Sequence, residues 1–375
     1  MADRTSFLYS GYIIDGISQP LAPADLLQEC SREGALPPVP EGPLDVIADE
    51  TVDLAPDAFK YREEDIDRYA AAVARYGKRS LPIPFAAPYT CGKAAQALID
   101  ALWMGGHFRL GDLDLKAGWH WDGTEIGRMA AFYASVEAAS TYIDALGLKF
   151  HEVRTGTGPC AVSFKAVTGE ETEGEEEEVL IQEPFKTACP RLSRRRRCPA
   201  GILSEASDWL IYIPFDTCDF RLGGSLLAAA TGTRPTTALD IGDADYFIDC
   251  YEVVRELVED GIVKAGATVL DGGLLHTLQK MAGTCGASIS IGAISRAYGG
   301  ELPVRILFGE VPGAIIQIAD GDYDYVDAEL LLQDIAYFPL GHPVPDSGII
   351  SVLSGENAGL PGILESLLNT REGED

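Results

Sequence analysis

Apolar and polar residues alternate along the chain with two periods, and the changes of period mark its elements. Asp65–Tyr76 (DIDRYAAAVARY) repeats at helical spacing and is closed by Gly77. Lys93–Trp103 (KAAQALIDALW) reads as an Ala-rich, mostly buried helix stopped by Gly105 and Gly106, and Thr124–Leu146 as a long helix with small residues that lie close against a sheet. Gly42–Leu54 (GPLDVIADETVDL) predicts one or two strands, Leu113–Trp121 another, and the unbroken apolar run Trp209–Phe215 a buried one. Helices follow at Asp245–Asp260, stopped by Gly261, at Leu274–Ala282 after a double glycine, and at Asp327–Ile335. Val304–Phe308 and Ala314–Ile318 read as short strands around the turn Gly309–Gly313, with Glu310 facing solvent or a neighbouring loop. Strands and helices alternate without regular βαβ spacing, which predicts an α+β fold with helices on one face of antiparallel or mixed sheets.

Length divides this pattern. The 375 residues suffice for two domains, expected at 41–205 and 206–355, with a tail at 356–375. Residues 1–40, punctuated by Pro20, Pro23, Pro37, Pro38 and Pro40, read as an irregular extension packed on a domain or a partner. Residues 168–200 read as a charged insertion: Glu170–Glu178 is acidic and Arg194–Arg197 basic. The insertion is a solvated segment whose halves partly neutralise each other, or an arm by which Arg194–Arg197 grips phosphate or an acidic partner. Limited proteolysis is expected to cut there first.

Charge narrows the function classes. With 29 Lys and Arg against 58 Asp and Glu the formal charge is −29, which leaves no electrostatic basis for binding nucleic acid except locally through Arg194–Arg197. No apolar run reaches the ~18–20 residues of a membrane span, and the first ten residues lack signal- and transit-peptide character. The eight cysteines contain no CxxC, as expected for reduced thiols in an intracellular, by default cytoplasmic, protein. The five histidines have no metal-ligand spacing. Trp119 and Trp121, two apart on a strand, point to one face and His120 to the other.

Three segments in fixed order carry a family resemblance: Arg221–Ala230 (RLGGSLLAAA), Val269–Ala282 (VLDGGLLHTLQKMA) followed by Gly286–Ile291 (GASISI), and Leu307–Ile318 (LFGEVPGAIIQI). They resemble the C-terminal domain shared by aminoimidazole ribonucleotide synthetase and phosphoribosylformylglycinamidine synthase. Gly42–Val52 and Leu110–Trp119 (LGDLDLKAGW) are similar to segments of the second synthetase-type repeat of the large synthase, so the resemblance spans residues 42–345. It implies a two-domain unit: an N-terminal domain whose half-barrel sheet pairs with a twin through an apolar face, and a C-terminal α+β domain. It also implies ATP or ADP with Mg²⁺ as cofactors, used to activate an amide oxygen that an amine then displaces. The pairing surface implies a homodimer, or a larger assembly, through the N-terminal sheet.

The departures bear on chemistry. Where the family carries His-Asp-x-Ser-Asp-Gly-Gly, this chain has Ala267-Thr268-Val269-Leu270-Asp271-Gly272-Gly273. The family's Gly-Lys-Asp-Ser turn corresponds to Arg154-Thr155-Gly156-Thr157-Gly158, with Arg154 as the remaining charge. Neither the first repeat nor a Cys-His-Glu glutaminase triad is present, so a complete amidotransferase is not expected. No catalytic residue and no metal ligand is assigned. What remains is a vestigial phosphate site. Gly223-Gly224-Ser225 either cradles phosphate or makes a tight strand-to-helix turn, and Asp271 with Gly272 and Gly273 either holds Mg²⁺ or caps the next helix. His276 lies close enough in sequence to reach that cleft. The expectation is a catalytically degenerate relative kept for assembly, with an ATP-dependent synthase subunit that works beside partner chains as the alternative.

Overall fold

The computed structural model describes residues 6–55, 59–106, 108–168 and 195–353. The acidic run, Arg194, Cys189, His107 and the tail at 356–375 lie outside them. In chain order the N-terminal half comprises α1 (Ser6–Tyr9), β1 (Gly11–Ile14), β2 (Ile17–Ser18), α2 (Pro23–Glu29), β3 (Val46–Asp49), α3 (Ile66–Tyr76), α4 (Ala86–Leu102), β4 (Leu113–Trp121), α5 (Arg128–Ala145), β5 (Phe150–Thr157) and β6 (Ala161–Thr168). The C-terminal half comprises β7 (Trp209–Pro214), α6 (Leu226–Thr231), α7 (Ala244–Glu259), β8 (Val263–Val269), α8 (Gly273–Met281), β9 (Gly286–Ser290), α9 (Gly292–Ala297), α10 (Pro303–Phe308), β10 (Gly313–Ile318), α11 (Tyr323–Leu332), β11 (Phe338–Val344) and β12 (Ile350–Leu353).

Two sheets organise the halves. The first has the order β5-β4-β6, with β4 parallel to β5 and antiparallel to β6. The second is six-stranded, β12-β9-β11-β7-β10-β8, antiparallel throughout except for the β12–β9 pair. This is the expected mixed α+β arrangement. Leu113, Leu115, Ala117, Trp119 and Trp121 form one buried face of β4. Trp119 donates to Ser135 Oγ on α5 at 2.9 Å, and exposed His120 points the other way. Small residues on α4 and α5 let both helices pack tightly; Ala94, Ala95 and Ala139 are wholly buried.

Four expectations change. Residues 6–29 hold regular elements rather than an irregular extension: Pro23 occupies the first position of α2, where its missing N–H costs nothing, and the Asp25 carboxylate accepts from Ala22 N at 3.0 Å. The chain after α2 then runs along the free edge of β5, where Cys30 O accepts from Phe150 N at 2.7 Å and Ala35 O accepts from Val153 N at 2.8 Å. Val304–Phe308 is helical, because Pro303 presets the first turn and a short apolar run fits a buried helix as well as a strand. Helix α5 starts at Arg128, not Thr124, since Asp49 of β3 accepts from Gly127, Met129 and Ala130 N at 2.8–3.0 Å and closes the helix end there. Burial pushes the Asp49 carboxyl up, yet these N–H groups hold it below its ordinary value.

The fourth change concerns the outer face of the first sheet, which is polar rather than apolar. The registers β4–β5 and β4–β6 place Lys116 beside Glu152 and Lys165, and Gly118 beside Arg154 and Ser163. Lys116 pairs with Glu152 at 3.2 Å and Arg154 also pairs with Glu152. Arg32 forks onto buried Asp114 at 2.9 and 3.1 Å. Arg154 therefore belongs to this face, and Arg154–Thr157 is strand rather than the turn implied by the resemblance.

The described part of the supposed insertion is packed. Arg195 O accepts from Gly105 N at 3.0 Å, and Arg197 N donates to Trp103 O at 2.8 Å. Arg196 donates to Gly266 O at 2.6 Å and lies over the Trp103 ring, while Arg197 donates to Glu259 O. The basic run is thus partly consumed on backbone carbonyls.

Candidate functional site

The two halves meet along α3 and α4, and the candidate residues gather there. Trp103, at the end of α4, is fully buried against Gly266, where a Cβ would lie 2.3 Å from its ring, and donates to Thr268 Oγ1 at 2.9 Å. Leu270 reaches across to Gly92, within 3.2 Å of the place a Cβ would take. Two of the positions where the family carries a proton-transfer or metal-binding group are thereby spent on the interface between halves.

The glycine-rich turns converge on one carboxylate. Glu310, 4% exposed, accepts from Leu226 N and from Gly272 N, both at 2.8 Å, so a single oxygen staples the turn at 223–225 to the turn at 271–273. Its carboxylate also takes both terminal nitrogens of Arg79 at 2.9 and 2.6 Å. Of the two placements expected for Glu310, solvent or a neighbouring loop, the second holds, but α10 ends at Phe308 and the chain turns inward instead of forming a hairpin. Burial opposes the charge on Arg79, but Glu310 and Asp271 together hold its pKa above the ordinary value.

Gly223 and Gly224 are there for geometry. Gly223 N donates to Thr237 O at 2.8 Å, and a Cβ would sit 2.4 Å from that oxygen; Gly224 has φ +71°. Ser225 caps α6 by accepting from Ala228 N at 3.2 Å. Gly273, at φ +74°, lies against the Leu307 carbonyl.

Asp271 does not cap α8; Gly272 holds that place without a side-chain bond. Its carboxylate instead meets Lys93 Nζ and, at 3.8 Å, Arg79. Arg79 and Lys93 both lie by the Tyr89 ring, at 4.9 and 5.5 Å from its centre. His276 packs beneath Gly272 rather than entering the cleft, and burial pushes its pKa down to about 4.

These groups border a cleft of about 480 Å³ lined by Arg79, Tyr89, Lys93, Gln96, Asp100 and Asp271, with Phe164 of β6 on the far wall. Asp100 is hemmed in by protein yet reached by water; burial raises its pKa against the Thr268 hydroxyl that donates to it. Burial also raises Asp271, but Lys93 and Arg79 outweigh it and leave the pKa lowered. The two carboxylates then act on stability with opposite sign. Asp271 stabilises above the ordinary carboxylate pKa, and that contribution is lost as pH falls through its lowered value. Asp100 takes up its proton earlier in the folded chain, so stability gains as pH falls through its raised value. Urea unfolding between about pH 7 and about pH 3 is expected to show a flatter acid limb for Asp271→Asn and a steeper one for Asp100→Asn.

The implied Mg²⁺ does not fit this donor set. Among the described residues no group of three or more His, Cys, Asp or Glu side chains is placed to hold a metal. Asp271 is engaged by two cations and Asp100 by Thr268, whereas Mg²⁺ needs free carboxylate oxygens in octahedral array.

Asp271 and the glycines were named from the sequence as a candidate site; Arg79, Tyr89, Lys93, Asp100 and Glu310, which the fold brings beside them, were not. One signal was available: Lys93, Gln96 and Asp100 are the polar positions of an otherwise apolar helix, spaced to share a face.

No family model matches the chain. Over 235 residues, 62% of the chain, it is 25% identical to phosphoribosylformylglycinamidine synthase of Homo sapiens, covering 17% of that protein. Over 132 residues, 35% of the chain, it is 31% identical to the probable chloroplastic/mitochondrial phosphoribosylformylglycinamidine synthase of Arabidopsis thaliana, covering 9% of it. The chain thus spans less than a fifth of these relatives. Among solved structures, T. maritima PurL complexed with FGAR matches with a TM-score of 0.53 at 13% identity, over 73% of this chain and 42% of that one. The fold is the two-domain aminoimidazole-ribonucleotide-synthetase-like one, and the sequence likeness is to phosphoribosylformylglycinamidine synthase. Among the described residues no helix is long and apolar enough to cross a membrane.

Proposed function

We propose that this chain is a catalytically degenerate relative of the second synthetase-like half of phosphoribosylformylglycinamidine synthase, acting as a structural or assembly subunit. The observation that carries this reading is the fate of its cleft carboxylates: Asp271 is engaged by Lys93 and Arg79, and Glu310 by Arg79 and two backbone N–H groups. Groups that a ligase would turn toward phosphate and metal are here turned toward each other. A nucleotide entering the cleft has to compete with these internal partners.

The partner surface in this reading is the outer face of β5-β4-β6, offered to a second copy or to an equivalent face of a larger assembly. Because it presents Glu152, Arg154 and Lys165 rather than apolar side chains, pairing there depends on charge and weakens with salt. Sedimentation equilibrium of the full chain at micromolar concentration is expected to show a dimer at low salt and a shift toward monomer at about 1 M salt. A monomer at every ionic strength, with no partner present, sinks the homodimer.

A second reading, an ATP-dependent phosphoribosylformylglycinamidine synthase subunit working with partner chains, is favoured by one observation. Asp100, water-accessible in the cleft and raised in pKa, is the carboxyl there suited to proton transfer. Turnover of ATP, formylglycinamide ribonucleotide and ammonia decides between the two readings.

A further inference from the structure

The misfit between the cleft and a divalent ion has a positive counterpart. The oxygen-bearing side chains Gln96, Asp100 and Asp271 line the cleft, and a positive charge already stands between Gln96 and Asp271. Lys93 Nζ donates to Gln96 Oε1 at 3.0 Å and to Asp271, with the Tyr89 ring beside it. Only 16% of the Lys93 side chain is exposed, and its backbone sits in the middle of α4. Position i brings the ammonium, and i+3 and i+7 of the same helix bring Gln96 and Asp100. The ammonium's other acceptor, Asp271, comes from the other half of the molecule, 178 residues away.

We propose that Lys93 is a resident cation, tethered to α4, which takes the place of a divalent metal ion between Gln96 and Asp271, so that the cleft neither needs nor admits one. Two physical arguments support it. An ammonium brings three donors and one charge, enough for the oxygens and the ring face that surround it. A divalent ion placed on Asp271 would stand within a few ångströms of the ammonium, and the two positive charges would repel. Free metal can be diluted away or chelated; a lysine held by its own helix cannot.

This inference deepens the non-catalytic reading of the cleft and rests on it, but its test reads metal occupancy and not activity. Turnover with no metal bound would end that reading and leave this one standing.

The probe is Mn²⁺, titrated into the full chain at moderate salt and followed by electron paramagnetic resonance, with thermal unfolding measured in Mn²⁺ and in EDTA. The wild type is expected to show no saturable site, and the same midpoint in both solutions. Lys93→Met is expected to gain one saturable Mn²⁺ site, at least ~10-fold tighter than the residual surface binding of the wild type, and to be stabilised by Mn²⁺. Lys93→Met/Asp271→Asn is expected to lose that site again. Lys93→Gln, which keeps a polar head, serves if Lys93→Met does not fold. A single saturable Mn²⁺ site in the wild type that Asp271→Asn abolishes overturns the proposal, and so does a folded Lys93→Met or Lys93→Gln that gains no site. Should neither variant fold, the wild-type titration decides alone.

Discussion

Glu310→Ala is expected to destabilise the protein by roughly 3–5 kcal/mol, the usual cost of removing one partner from a buried ion pair. Arg79, whose side chain is 6% exposed, would keep its charge with Asp271 alone at 3.8 Å. The N–H groups of Leu226 and Gly272 would also lose their shared acceptor, and each orphaned donor adds to the loss. Glu310→Gln keeps an acceptor for the two N–H groups while removing the charge, so it should cost less. Combining it with Arg79→Met removes both charges and keeps the staple, and most of the loss should be recovered. Urea unfolding of the four proteins measures this series. A Glu310→Ala chain within about 1 kcal/mol of wild type would mean that the carboxylate does not tie the turns together.

No release of ADP above a heat-inactivated control is expected when the full chain is given ATP, Mg²⁺, formylglycinamide ribonucleotide and ammonia. One absent acid or base costs about 10²–10⁴ in rate. By the resemblance, Ala267, Thr268 and Leu270 stand at positions where the family carries several such groups. Thr268 is tied to Trp103 and Asp100, and Leu270 is buried against Gly92. Steady-state ADP release, compared with Asp271→Asn and Asp100→Asn, checks this. A rate that Asp100→Asn abolishes would favour the synthase-subunit reading.

Local signals were legible in the sequence and long-range ones were not. Gly77 closes α3 at φ +72°, as its place after an amphipathic run implies, and the Trp119–Trp121 spacing shows which face of β4 is buried. Such features depend on neighbours within a few residues. Arg79 and Glu310 are 231 positions apart and Lys93 and Asp271 are 178 apart; no periodicity relates them. Glu310 read as a turn residue because the Pro and two Gly of Gly309–Gly313 imitate a hairpin, whereas α10 precedes it and β10 begins at Gly313. The prolines of residues 1–40 misled in the same way, since Pro23 begins α2 rather than breaking it. The outer face of the N-terminal sheet was expected to be apolar by resemblance; the alternation Asp114, Lys116, Gly118, His120 in the sequence already showed it to be polar. Asp271 was found because its turn is preserved, but whether it holds a metal, caps a helix or pairs with a lysine depends on which helix crosses above it.

The most direct test of catalytic degeneracy is a single-turnover experiment, with the full chain in excess over labelled ATP and with Mg²⁺, formylglycinamide ribonucleotide and ammonia present. The expected result is that the label remains as ATP, with no ADP and no amidine formed, in wild type and Asp271→Asn alike. One equivalent of ADP formed with the amidine by the wild type, and lost in Asp271→Asn, would contradict it.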